Sequence, residues 1–186
     1  EWSDARQAQF ATLLMDWYDV TGESELFHRG VAALRSSFTL MHLEEHRGLA
    51  PGNNRAADRD DRGAVAENYG HAGIDAKIQG YVMPDWGSGS AASSAALAQA
   101  RWGDLYLDVG RGAAFGIDGC RVTRASIGPD RADLAIETLR RGSRSLPLTL
   151  KASGVATARY ALRVNGIDLG THDRAGLERG ITMEAP

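Results

Sequence analysis

Histidine is the side chain that most readily moves a proton near neutral pH, and His71 sits where such chemistry is easy to build. It falls in Asn68-Tyr69-Gly70-His71-Ala72-Gly73, with glycines at 70 and 73 that let backbone approach a ligand closely. Tyr69 can stack on a sugar ring or donate a hydrogen bond. The same residues also suit a buried tyrosine and histidine bonded to a neighbouring loop. A second cluster is Asp85-Trp86-Gly87-Ser88-Gly89-Ser90. A carboxylate against an indole wall is pushed toward a general-acid pKa, and the indole face can carry the apolar face of a pyranose. Its other reading is a turn whose serines cap the helix that follows. A third is His42-Leu43-Glu44-Glu45-His46, the H-x-x-E-H pattern of inverted zinc peptidases. There His42 and His46 lie one helical turn apart and Glu45 can serve as base on a metal-bound water. The pattern closes a helix and runs into turn residues, where His46 and Arg47 also suit the helix dipole.

These residues need elements to hold them. Phe10, Leu13, Leu14, Trp17 and Tyr18 recur at spacings of three and four and predict one apolar helix face. Gly22 ends that helix, and Thr21 or Ser24 caps a second over about 25–46, with Phe27, Val31, Leu34, Phe38 and Met41 as its stripe. The short connection makes the two an antiparallel hairpin. Residues 47–64 carry turn chemistry and the mixed-charge run Asp58-Arg59-Asp60-Asp61-Arg62, which reads as a solvated loop. An alanine-rich helix follows over 91–102. From Gly103 the pattern changes to alternating short segments at about 104–109, 113–117, 120–127, 132–139, 146–151, 158–164 and 167–170. Asn165-Gly166 is the clearest hairpin signal among their turns. Helices first and strands second predict an α+β chain, a helical segment over 1–102 and a small antiparallel β-sandwich over 103–186.

The helix–turn–helix around Thr21-Gly22-Glu23-Ser24, with Arg29 and Ala32-Ala33-Leu34-Arg35 on its second helix, resembles the helical hairpins of (α/α) toroid carbohydrate-active enzymes. Those are glycoside hydrolases and polysaccharide lyases, several with a C-terminal β-domain. Asn68-Tyr69-Gly70-His71-Ala72-Gly73 and Asp85-Trp86-Gly87-Ser88-Gly89 resemble loops near the closing end of such a toroid. The strands through Asn165-Gly166-Ile167-Asp168-Leu169-Gly170 resemble its appended sandwich. The resemblance implies the last part of a toroid and its β-domain, within a longer chain, acting on a polysaccharide or glycan. In a lyase, His71 or Tyr69 would take the proton beside a uronate carboxylate, and Asn68 would stabilise that carboxylate as charge builds. In a hydrolase, Asp85 would be acid or base and Trp86 the sugar platform. The family resemblance favours a secreted or periplasmic setting, and no cofactor is expected.

Composition bounds the alternatives. A net charge of −3 argues against a nucleic-acid partner. No apolar run reaches the roughly 18 residues of a membrane helix. The single cysteine, Cys120, excludes an internal disulfide and a multi-cysteine zinc site. No nucleophile elbow, phosphate loop or dinucleotide fingerprint is present. Beginning at Glu1-Trp2 without a secretory leader, the chain is expected to be part of a longer or processed product. The competing functions are a non-catalytic glycan-binding or assembly module, and a zinc peptidase using His42, Glu45 and His46.

Overall fold

The computed structural model describes residues 3–4, 6–38, 68–69, 88–139 and 146–185. The protein is α+β; the described residues form four helices, two four-stranded sheets and a two-residue ladder. It forms two compact units, Glu1–Leu97 and Ala98–Pro186.

In the first unit, α1 (Gln7–Thr21) and α2 (Ser24–Ser37) form the expected hairpin. Gly22 stops α1 at φ 77°, and its N–H returns to the Tyr18 carbonyl at 2.7 Å. Ser24 is not the cap of α2. Glu23 occupies that position with extended backbone, and its N–H is taken by Thr21 Oγ1 at 3.2 Å. Tyr18 meets Phe27 edge to face, with ring centroids 5.3 Å apart. Burying each of these rings contributes about 2 kcal/mol of transfer free energy. Gly30 lets the helices approach: a Cβ there would lie 2.6 Å from Met15 Cγ and 2.8 Å from the Ala11 carbonyl oxygen. The expected α1 face splits in two. Leu14 and Tyr18 are buried with Ala8, Ala11 and Met15, whereas Phe10, Leu13 and Trp17 are exposed. A helix apolar on both sides offers two stripes at the same spacing, and α2 takes the one rich in small residues. The remainder of the second predicted helix, beyond Phe38, lies outside the described residues.

The ladder joins β1 (Ser3–Asp4) to β2 (Asn68–Tyr69), antiparallel, with Ser3 opposite Tyr69 and Asp4 opposite Asn68. Helix α3 (Gly89–Trp102) then crosses from the first unit into the second. Gly103, at φ 72°, ends it, with its N–H on the Gln99 carbonyl.

The second unit holds β3 (Leu105–Asp108), β4 (Ala113–Gly116), β5 (Cys120–Ile127), β6 (Arg131–Thr138), β7 (Leu146–Ser153), β8 (Tyr160–Val164), β9 (Ile167–His172), α4 (Arg174–Arg179) and β10 (Ile181–Ala185). One sheet runs β10-β7-β3-β4 and the other β5-β6-β8-β9. The sheets are mixed, not antiparallel as expected. In each, two antiparallel pairs join through a parallel pair at the centre: β3 with β7, Leu105 opposite Leu150, and β6 with β8, Arg131 opposite Ala161. The reason is connectivity, since parallel neighbours need a long excursion between them and a full β5–β6 hairpin separates β3 from β7. One apolar cluster draws on both sheets: Leu105, Leu107, Leu148 and Leu150 from the first, and Leu134, Ile136, Tyr160 and Leu162 from the second. Strand β3 does not alternate as expected; all four of its residues are buried, as befits a central strand. Helix α4 and β10 were not anticipated. Asp173 caps α4 by accepting the Gly176 N–H at 2.6 Å, and Leu177 drops into the core.

Candidate functional site

The structure places two of the sequence-derived site residues by their backbone. Asn68 and Tyr69 form β2 and are held to Ser3–Asp4, within the unit that contains the helical hairpin. His71, Asp85 and Trp86 lie outside the described residues, as do His42, Glu45 and His46 of the zinc pattern. Among the described residues, no group of three or more histidine, cysteine or acidic side chains is arranged to hold a metal ion.

The polar chemistry inside the second unit was not singled out from sequence. Asp104 is buried just before β3. Its Oδ2 accepts the Thr149 N–H at 2.7 Å, its Oδ1 accepts Gln99 Nε2 at 3.3 Å, and its own N–H donates to the Thr149 carbonyl at 2.8 Å. The Asp104 carbonyl accepts the Ile117 N–H at 2.7 Å. One residue thus ties the end of α3 to β7 and to the turn after β4. Asp108, also buried, closes the β3–β4 turn by accepting the Arg111 N–H on Oδ1 and Arg111 Nη1 on Oδ2, both at 3.0 Å. Gly154, at φ 69°, packs against this turn, and a Cβ there would lie 2.5 Å from the Gly110 nitrogen. Buried carboxylates engaged in this way organise backbone. The signal for Asp104 was its position between a helix-ending glycine and a strand, which asks for a side chain to satisfy backbone donors.

Two further arrangements fix local electrostatics. Tyr160 is buried, donates its hydroxyl to the Gly128 carbonyl at 2.9 Å, and has its phenol pushed up to about 12 by burial and by the nearby Asp130 charge. On the exposed side of β6, the hydrogen bond from Arg131 holds the Asp133 carboxyl below its ordinary range. Arg163 lies 3.8 Å from the same carboxylate, and Arg121 pairs with Glu137 across β5 and β6. The first pair lies within β6 and the other two join neighbouring strands, all on a solvated sheet face.

No protein-family model, curated protein or solved structure matches the chain. The residues themselves therefore carry the functional reading.

Proposed function

We propose that this chain is the C-terminal portion of a polysaccharide- or glycan-processing enzyme. Its helical hairpin would be one unit of an (α/α) toroid, and its two sheets the appended β-sandwich. The observation that carries the reading is the order of parts: an antiparallel helical hairpin, a Tyr- and His-bearing segment whose Asn68–Tyr69 pairs with Ser3–Asp4 ahead of that hairpin, then two four-stranded sheets sharing one apolar cluster. That is the order the family resemblance implies. The residue types in these two sequence clusters support a saccharide substrate. His71 and Tyr69 are suited to moving a proton, Asn68 to stabilising a carboxylate that gains charge, Asp85 to acid–base work and Trp86 to supporting a sugar ring.

The test is turnover by the 186-residue chain on a panel of uronate-containing and neutral polysaccharides. New reducing ends with an unsaturated, ultraviolet-absorbing sugar report elimination; reducing ends without that absorbance report hydrolysis. In the first case His71→Ala is expected to lower the rate by about 10²–10⁴-fold, and in the second Asp85→Asn by a similar factor. Turnover that persists in the doubly substituted chain overturns the assigned site. No turnover on any polymer of the panel overturns the enzymatic reading for this chain.

A further inference from the structure

Of the four asparagines in the chain, Asn165 is the one followed by glycine. An asparagine side-chain amide is open to attack by the backbone nitrogen of the next residue, and glycine, with no Cβ, leaves that nitrogen unshielded. Asn165 and Gly166 form the two-residue turn between β8 and β9, at φ 51° and 80°, the left-handed pair of a type I′ hairpin. We propose that Asn165-Gly166 is a guarded deamidation site. Strand β6 holds the amide out of reaction while the sheet is closed, and opening of the β8–β9 hairpin releases it. This goes beyond the saccharide reading and does not depend on it.

The guard is the hydrogen bonding of Asn165 to β6. The parallel pairing of β6 with β8 ends at Leu134 opposite Val164, and Asn165 carries the ladder on. Its N–H donates to the Leu134 carbonyl at 2.9 Å, its Oδ1 accepts the Ile136 N–H at 2.8 Å, and its Nδ2 donates to the Ile136 carbonyl at 3.1 Å. A primary amide has the donor and the acceptor of a peptide group, so it stands in for the next residue of the strand. Reaction needs this arrangement undone. Once the hairpin is open, the Gly166 nitrogen gives its proton to base and bonds to Asn165 Cγ. The Cγ–Nδ2 bond breaks, and Nδ2 takes up a proton and departs as ammonia. Water then opens the cyclic imide to aspartate or to its β-linked isomer. Neither product restores the guard. An aspartate carboxylate only accepts, so it meets the Ile136 carbonyl oxygen to oxygen. The β-linked isomer adds a methylene to the backbone of a turn whose length sets the register of β9. A lapse in closure of this sheet is thereby made permanent.

Asp118-Gly119 supplies the comparison. Asp118 is exposed, and its Oδ1 accepts the Gly119 N–H at 2.7 Å. That side chain lies against the nitrogen that would attack it, whereas the Asn165 side chain is held on another strand. The Asp118→Asn chain carries both asparagine–glycine pairs, in the tryptic peptides 112–121 and 164–174. The mass gained on amide-to-acid exchange is followed in each peptide, in mildly alkaline buffer and in urea. In buffer, position 118 is expected to deamidate at least about tenfold faster than Asn165. In urea the two rates should converge, with Asn165 accelerated at least about tenfold. The natural chain, followed in peptide 164–174, should show the same acceleration and keeps the test decisive if Asp118→Asn does not fold. Asn165→Asp, which installs the product, should lower the urea midpoint. Equal rates at Asn165 in buffer and in urea overturn the proposal, as do equal rates at the two positions in the folded chain or an unreactive Asn165 in urea. A natural midpoint for Asn165→Asp overturns the permanence of the lapse.

Discussion

At the scale of single residues, burial turns ordinary polar groups into structural fixtures. Tyr160 shows how. Its phenol, ordinarily near 10.0, is pushed up to about 12 in the folded chain by burial and by Asp130. Below pH 10 the group is protonated in both folded and unfolded chains, so its contribution is complete. As pH rises from 10 to 12, the unfolded chain releases the proton and the folded chain holds it, and stability falls. Urea midpoints measured through this window should decline for the natural chain and decline less for Tyr160→Phe. At neutral pH that variant should lose about 1 kcal/mol with its hydrogen bond to the Gly128 carbonyl. Equal pH dependence in the two proteins would show that Tyr160 titrates like an exposed phenol. Asn165 is a second fixture. At φ 51° it opens the β8–β9 turn, while its Oδ1 accepts the Ile136 N–H at 2.8 Å and its Nδ2 donates to the Ile136 carbonyl at 3.1 Å. The turn was legible from Asn165-Gly166 alone; the clasp onto β6 was not, because it joins positions 29 residues apart.

At the scale of elements, the helical hairpin is set by what α2 lacks at position 30. Replacing Gly30 with alanine adds helix propensity of about 1 kcal/mol. It also drives a methyl into Met15 and the Ala11 carbonyl, and overpacking of this kind costs about 1–3 kcal/mol. The variant is expected to be destabilised on balance, by about 1 kcal/mol, in chemical unfolding followed by far-ultraviolet circular dichroism. A gain in stability would mean that the two helices pack less closely than described. The hairpin, the alanine-rich helix and most strands were legible because turn chemistry punctuates them: Gly22, Gly103, Gly110-Arg111-Gly112, Gly128-Pro129-Asp130 and Asn165-Gly166. The side of α1 that faces its partner was not, since both of its apolar rows share one periodicity. The parallel pairings were hidden for a related reason. Strand pattern records which residues point inward and carries no record of which strand lies beside it. Of the candidate site, the chemistry was read from residue types, and the structure adds the backbone anchoring of Asn68 and Tyr69 to Asp4 and Ser3.

At the scale of the whole molecule, the sheet unit divides its strands between two stretches of chain. The first stretch supplies β3 and β4 to one sheet and β5 and β6 to the other; the second supplies β7 and β10 to the one and β8 and β9 to the other. Each stretch alone holds only isolated pairs of strands, which are marginal in water. Peptides spanning 98–139 and 146–185 are therefore expected to show narrow amide dispersion in proton NMR when separate and native-like dispersion when mixed in equal amounts. A folded spectrum from either peptide by itself would contradict the description. Synthesis meets the same arrangement in order. At the usual elongation rate, roughly 4–16 s pass between the making of β3 and of β10. Through that interval the early hairpins carry leucine faces whose covering strands have not yet been made.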